Sequence, residues 1–128
     1  MARILLAEDD PAVRAFVRRA LAHGGHDVTA VDDGLGAVEA LTGGAFDLLI
    51  TDIVMPGMDG IALALKVSKD HPRMPILMMT GYAAERQRAH NLEALIHKVI
   101  AKPFTLREIC NVVAETLASH APPPATAA

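Results

Sequence analysis

Five short apolar runs punctuate this chain, and each is followed by a stretch whose apolar residues recur at three- and four-residue spacing. The runs are residues 3–7, 26–31, 47–51, 75–79 and 96–101. In the first, third and fourth the hydrophobic residues are continuous, without the alternation of a half-exposed strand, which marks strands covered on both faces. Covered strands separated by helix-length segments imply a parallel sheet with helices on both sides, the α/β class.

The connecting segments carry the matching helix signals. Asp10-Pro11 opens the first: aspartate is a good N-cap, and proline at the first helical position has a preset φ and no amide to leave unpaired. Val13, Phe16, Val17, Ala20 and Leu21 follow on one face, and Gly24-Gly25 closes it. Asp32-Asp33-Gly34 starts a second helix on which Leu35, Val38 and Leu41 share a face, ended by Gly43-Gly44. A third follows Pro56-Gly57 and Asp59-Gly60; Ile61, Leu65 and Ser68 share one side and Leu63 and Val67 a neighbouring one, before His71-Pro72. Residues 83–92 hold good helix formers with a weak apolar stripe, so that helix is expected to be the least firmly packed. Thr105-Leu106-Arg107-Glu108 is a capping box, followed by an inward stripe of Leu106, Ile109, Val113 and Leu117. Right-handed crossovers then leave few topologies, and the expected fold is a single flavodoxin-like (βα)5 domain, its five parallel strands in the order 2-1-3-4-5. Residues 1–120 are expected to form this domain, and residues 121–128, rich in proline and alanine, a flexible tail.

Composition excludes several function classes. A chain of 128 residues suits one domain, and its 52% hydrophobic content supports a real core. No apolar run approaches the ~18 residues of a membrane helix. The net charge of −3, without a dense basic run, argues against direct DNA binding. Cys110 is the only cysteine, so neither a disulfide nor a cysteine metal site is available. The N-terminus lacks a signal-peptide pattern, and cytoplasmic residence is the default expectation. His23 and His26 flank a Gly-Gly break, so they read as a solvated pair rather than as metal ligands. Methionines 55, 58, 74, 78 and 79 read as core and loop fillers.

What remains is polar residues in apolar surroundings. Glu8 and Asp9 follow the first strand, Asp52 the third, Thr80 the fourth and Lys102 the fifth. In a parallel sheet those ends emerge at one edge, where ligands bind. Taken one at a time, the acids read as loop carboxylates, Thr80 as a strand-end hydroxyl and Lys102 as a surface lysine. Together they describe a site. Three acids repel one another, and magnesium, which accepts oxygen ligands and keeps several waters, is the natural counter-ion. Lys102 adds a positive charge and Thr80 a hydroxyl donor, so the set suits receiving a phosphoryl group on a carboxylate.

Glu8-Asp9, Thr51-Asp52 with Met55-Pro56-Gly57-Met58-Asp59-Gly60, Met79-Thr80-Gly81 and Lys102-Pro103-Phe104 together resemble the receiver domain of two-component response regulators, the CheY-like family, over residues 3–118. The resemblance implies that Asp52 is the phosphoacceptor. It implies that Asp9 is a direct Mg2+ ligand, that Glu8 acts directly or through water, and that the Val54 backbone carbonyl completes the set. Thr80 would bind the phosphoryl oxygens and move on activation, Lys102 would pair with the phosphoryl group, and Lys102-Pro103 would be cis. The implied donor is a histidine kinase or a histidine phosphotransfer protein, the implied output an effector or adaptor target, and the expected state a monomer.

Two departures stand out. The family often has an aromatic switch residue three positions before the Lys-Pro pair, where this chain has Val99; Tyr82 is the available substitute and is expected to couple the Thr80 loop to the helix after it. Val54 and Tyr82 occupy the positions that in this family flank the path of the hydrolytic water, and neither is a small or acidic group that would orient one, so the resemblance implies slow self-hydrolysis. With only the tail after the last helix, action through other proteins is expected. The stretch from Thr80 to Lys102 is similar to single-domain receivers that act as proteolysis adaptors in alphaproteobacterial cell-cycle control; a phosphate sink without a target is the alternative. A haloacid dehalogenase-type phosphatase would need an acid two residues after the nucleophile, where Val54 stands, so enzymatic turnover is not expected.

Overall fold

The computed structural model describes residues 2–81 and 96–120. Strands β1 (Arg3–Ala7), β2 (Asp27–Val31), β3 (Leu48–Asp52), β4 (Ile76–Thr80) and β5 (Lys98–Ala101) form one sheet in the order β2-β1-β3-β4-β5. Every pairing is parallel, as the apolar runs implied. Successive residues of a strand point to opposite faces, so each continuous run feeds two cores. On one face Leu5, Leu49, Ile76 and Met78 pack with Ala37 of α2 (Gly34–Gly43) and Leu63, Ala64 and Val67 of α3 (Gly60–Asp70). On the other, Ile4, Leu6, Ile50, Leu77 and Met79 pack with Val17, Ala20 and Leu21 of α1 (Pro11–His23) and Ile109 and Val113 of α4 (Leu106–His120).

The caps sit where the sequence placed them. Asp10 Oδ1 accepts from the Ala12 and Val13 amides at 2.8 and 3.4 Å, with Pro11 opening α1. Gly25 takes φ 91° after α1, a conformation that side chains resist. Asp33 caps α2 and Asp59 caps α3. In α4 the Glu108 amide donates to Thr105 Oγ1 at 3.1 Å while Glu108 Oε1 accepts from the Thr105 amide at 3.0 Å. The methionines at 55, 74, 78 and 79 are buried, as expected.

Several boundaries and faces differ from the expectation. β3 and β4 each run one residue later, because Asp52 still pairs with Met79 and Thr80 with Ala101. Both polar groups are therefore anchored in the ladder and not in a loop. β2 starts at Asp27 and β5 at Lys98. Leu106, expected in a buried stripe, is exposed, and so are Leu35 and Leu65 on the apolar faces read for α2 and α3. For Leu35 and Leu65 the physical reason is close approach: a Cβ on Gly34 would overlap the Met58 carbonyl oxygen, and one on Gly60 the Asp52 carbonyl oxygen. These approaches fix which sides turn inward, Ala37 on α2 and Leu63, Ala64 and Val67 on α3, and they leave Leu35 and Leu65 outside. The expected helix over 83–92, Tyr82 and the 121–128 tail lie outside the described residues. Among the described residues no helix is long and apolar enough to cross a membrane.

Candidate functional site

β1, β3, β4 and β5 are consecutive neighbours, so their carboxyl ends stand side by side. Glu8 follows β1 directly, and its amide extends the ladder to the Val31 carbonyl at 3.1 Å. Asp52 closes β3, Thr80 closes β4, and Lys102 follows β5 with its amide donating to the Thr80 carbonyl at 2.7 Å. The expected site residues Glu8, Asp9, Asp52, Thr80 and Lys102 all lie at this edge. One carboxylate oxygen each from Glu8, Asp9 and Asp52 falls within 4.8 Å of the others.

Lys102 holds this acid cluster together. Its Nζ donates to Glu8 Oε1 at 2.6 Å and lies 3.3 Å from Asp52 Oδ2. The second Glu8 oxygen accepts from the Asp10 amide at 3.2 Å, and Asp52 Oδ1 accepts from the Ile53 amide at 2.9 Å. Glu8 is fully buried and Asp52 only 6% exposed, whereas Asp9 is exposed. Burial raises the Glu8 carboxyl from 4.5 to about 7; the Lys102 hydrogen bond pulls against this, and the Asp52 charge adds to it. Burial works against the Lys102 charge, yet the bond to Glu8 and the Asp52 charge outweigh it and hold the ammonium above its usual value. The Thr80 hydroxyl is buried without a hydrogen-bond partner among the described residues. A buried hydroxyl left in that state is unfavourable by about 1–3 kcal/mol, so it marks a place where an acceptor belongs.

The donor set fits a hard divalent cation. All three groups offer carboxylate oxygens, and a single ammonium leaves the cluster net negative. Val54 lies in the loop two residues past Asp52, with its side chain 57% exposed. The Lys102-Pro103 bond is cis. Val99, at the position where the family often carries an aromatic, is an exposed side chain on β5. A cleft of about 650 Å3 opens over Asp52 and Lys102, with Val13, Phe16, Val54 and Phe104 in its wall. A concavity of about 1540 Å3 lies at the opposite edge of the sheet and is lined by none of these groups.

Some supporting residues were not singled out from sequence. The Thr51 hydroxyl donates to the Asp52 carbonyl at 2.9 Å, and Arg14 Nη1 donates to the Glu8 carbonyl at 2.9 Å. Gly60 lets α3 begin against the Asp52 backbone, its amide donating to Ile53 at 2.7 Å. The signals available were faint: a glycine after an N-cap aspartate, and an arginine one turn into the helix that follows the acids. His26 is not simply solvated, since its Nδ1 accepts from the Ala2 amide at 3.1 Å.

The response regulator receiver domain model matches residues 4–114 of this chain. The response regulator receiver protein CpdR of Brucella abortus is 44% identical over 117 residues, covering 91% of this chain and 98% of that protein. The transcriptional regulatory protein TcrA of Mycobacterium tuberculosis is 36% identical over 107 residues; there the match spans 84% of this chain and 42% of the relative. Among solved structures, the response regulator TrrA of Thermotoga maritima, in complex with Mg2+ and BeF, aligns with a TM-score of 0.82 at 27% identity, covering 91% of this chain and 99% of that one. With the family model, a near-full-length relative and the acid-lysine cluster in agreement, this chain belongs to the response regulator receiver domain family, a signalling domain rather than an enzyme.

Proposed function

We propose that the chain is the phosphoryl-accepting switch of a two-component phosphorelay, with Asp52 as the acceptor. The observation that carries this is the Lys102 ammonium bridging buried Glu8 and Asp52 beside a Thr80 hydroxyl that has no partner among the described residues. A histidine kinase or histidine phosphotransfer protein presents a phosphohistidine at the cleft. An Asp52 oxygen attacks phosphorus in line, the P–N bond breaks, and its electron pair stays on the imidazole nitrogen, which is protonated as it leaves. Lys102, already 3.3 Å from Asp52, pairs with the incoming phosphoryl oxygens. The Thr80 hydroxyl donates to one of those oxygens and so gains the partner it lacks. Glu8, Asp9, Asp52 and the Val54 carbonyl would hold Mg2+, which supplies charge neutralisation for the equatorial oxygens.

Placing a dianionic group among three acids changes which arrangement of the Thr80 and Lys102 loops is favoured, and a shift of ~1–3 kcal/mol suffices for a useful switch. The output is a change in affinity for another protein, Tyr82 serving in place of an aromatic at position 99. An adaptor role in regulated proteolysis is our first reading, and a phosphate sink the second.

A phosphorylated histidine kinase or a phosphoramidate donor, mixed with the chain and Mg2+, should yield phosphoprotein that disappears with Asp52→Asn and with chelator. Equal labelling of the Asp52→Asn variant would refute the assignment. Capture of partners by the beryllofluoride-treated and untreated chain separates the two outputs: a partner held in one state supports the adaptor, and none in either supports the sink.

A further inference from the structure

The edge of the sheet where the strands begin, opposite the acids, has its own polar arrangement. Three backbone amides there donate to side chains: Ala2 to His26 Nδ1 at 3.1 Å, Arg3 to Asp47 Oδ2 at 2.8 Å, and Ile76 to His97 Nδ1 at 2.9 Å. Each contact is doubled by a backbone bond at the same place: the Asp27 amide to the Ala2 carbonyl, Asp47 to Arg3, and His97 to Ile76, at 2.9, 2.7 and 3.0 Å. The strand pairs β1/β2, β1/β3 and β4/β5 are thus each fastened at their entry by one acceptor side chain, and in two of the three it is an imidazole.

An imidazole nitrogen accepts only while it carries no proton, so both rings are neutral with the proton on Nε2, the tautomer these bonds require. We propose that His26 and His97 are an acid-sensitive clamp on the entry edge of the sheet: protonation of their Nδ1 atoms breaks both amide bonds and loosens the starts of β1 and β4. A protonated Nδ1 changes from acceptor to donor, and the facing N–H then meets another N–H. Both rings, with His71, line the 1540 Å3 concavity, so loosening the strand starts opens that cavity.

The surroundings set how readily the protons arrive. The α-amino end of the chain acts on His26; His23 lies three residues before it at the end of α1, and the Arg3 guanidinium lies 3.8 Å from Asp27, the residue after it. Asp47, His71 and Arg73 line the same cavity. Beside His97, Lys98 is paired with Glu115 of α4 at 3.7 Å. The acids in this set already have partners, Asp27 and Asp47 on Arg3 and Glu115 on Lys98. Burial lowers His26 below its ordinary value, so it charges late and at the expense of its bond to Ala2.

Amide exchange of the full chain by NMR, corrected for intrinsic rates, tests the clamp together with imidazole nitrogen shifts. Asparagine places an amide oxygen where Nδ1 stands and accepts at every pH, so His26→Asn and His97→Asn are the informative variants. In the unaltered chain, protection of the Ala2 and Ile76 amides should fall about tenfold on acidification, each in step with the protonation of the Nδ1 it faces. The double asparagine variant should retain it. The Arg3 amide, held by a carboxylate, is the internal reference. Unchanged protection in the unaltered chain, or the same loss in the asparagine variant, would overturn the proposal.

Discussion

Replacing Lys102 by methionine should produce a stability loss that depends on pH in a way the geometry dictates. The ammonium lies 2.6 Å from Glu8 and 3.3 Å from Asp52, and Glu8 is fully buried. Removing one partner of a buried ion pair destabilises by about 3–5 kcal/mol, because the other charge is stranded. Here a proton substitutes for the ammonium, since burial has already lifted Glu8 from 4.5 to about 7. A carboxyl raised above its unfolded value contributes stability that is whole below about pH 4.5 and is lost as pH climbs through about 7. In the metal-free unaltered chain that loss is on the order of 1–3 kcal/mol. Without Lys102 the bond that pulls Glu8 down is gone, so its value rises further and the loss extends to higher pH. Urea unfolding in chelator, followed by far-UV circular dichroism, should place Lys102→Met within ~1 kcal/mol of the unaltered chain near pH 5.5 and about 3 kcal/mol below it near pH 8. An equal loss at both values, or none at either, would refute the charge balance described here.

Other expectations follow from single contacts. Gly60→Ala puts a methyl against the Asp52 carbonyl group, whose carbon would lie 2.8 Å away; backbone cannot yield there, so denaturation should show a loss of more than ~2 kcal/mol together with impaired labelling. Asp10→Ala removes the acceptor for the Ala12 and Val13 amides, and a thermal melt should register about 1 kcal/mol. Mg2+ at a hundredfold over its Kd should stabilise the chain by about 3 kcal/mol, and Asp9→Ala should abolish most of that gain in a thermal-shift titration. The phosphoryl group should hydrolyse slowly, since exposed Val54 offers no group to orient a water; a half-life of only about a few seconds, measured by acid-stable gel, would contradict this.

The edge that carries the acid-lysine cluster was legible because strand ends are marked twice, by the close of an apolar run and by the polar residue that follows. Glu8, Asp52, Thr80 and Lys102 needed only the parallel-sheet rule to be brought together. The caps at Asp10, Asp59 and Thr105 were equally clear, since each is a local hydrogen-bond pattern set by a few adjacent residues. Helix rotation was harder to read. Leu35 and Leu65 fit an apolar periodicity, but the faces of α2 and α3 that turn inward were decided by how closely Gly34 and Gly60 allow the helices to approach, a tertiary constraint with no periodic trace. Thr51 and Arg14 support the site through backbone carbonyls, and a side chain that acts on backbone leaves no complementary residue to search for. The histidines at 26 and 97 were hidden for the same reason.

The most direct test of the central claim is to find which side chain carries the phosphoryl group. After phosphorylation with Mg2+ present, borohydride reduction converts an aspartyl phosphate to homoserine, and peptide mass spectrometry locates it. The account predicts homoserine at position 52 and at no other carboxylate. Reduction at residue 8 or 9, or a phosphoryl group that resists borohydride altogether, would contradict it.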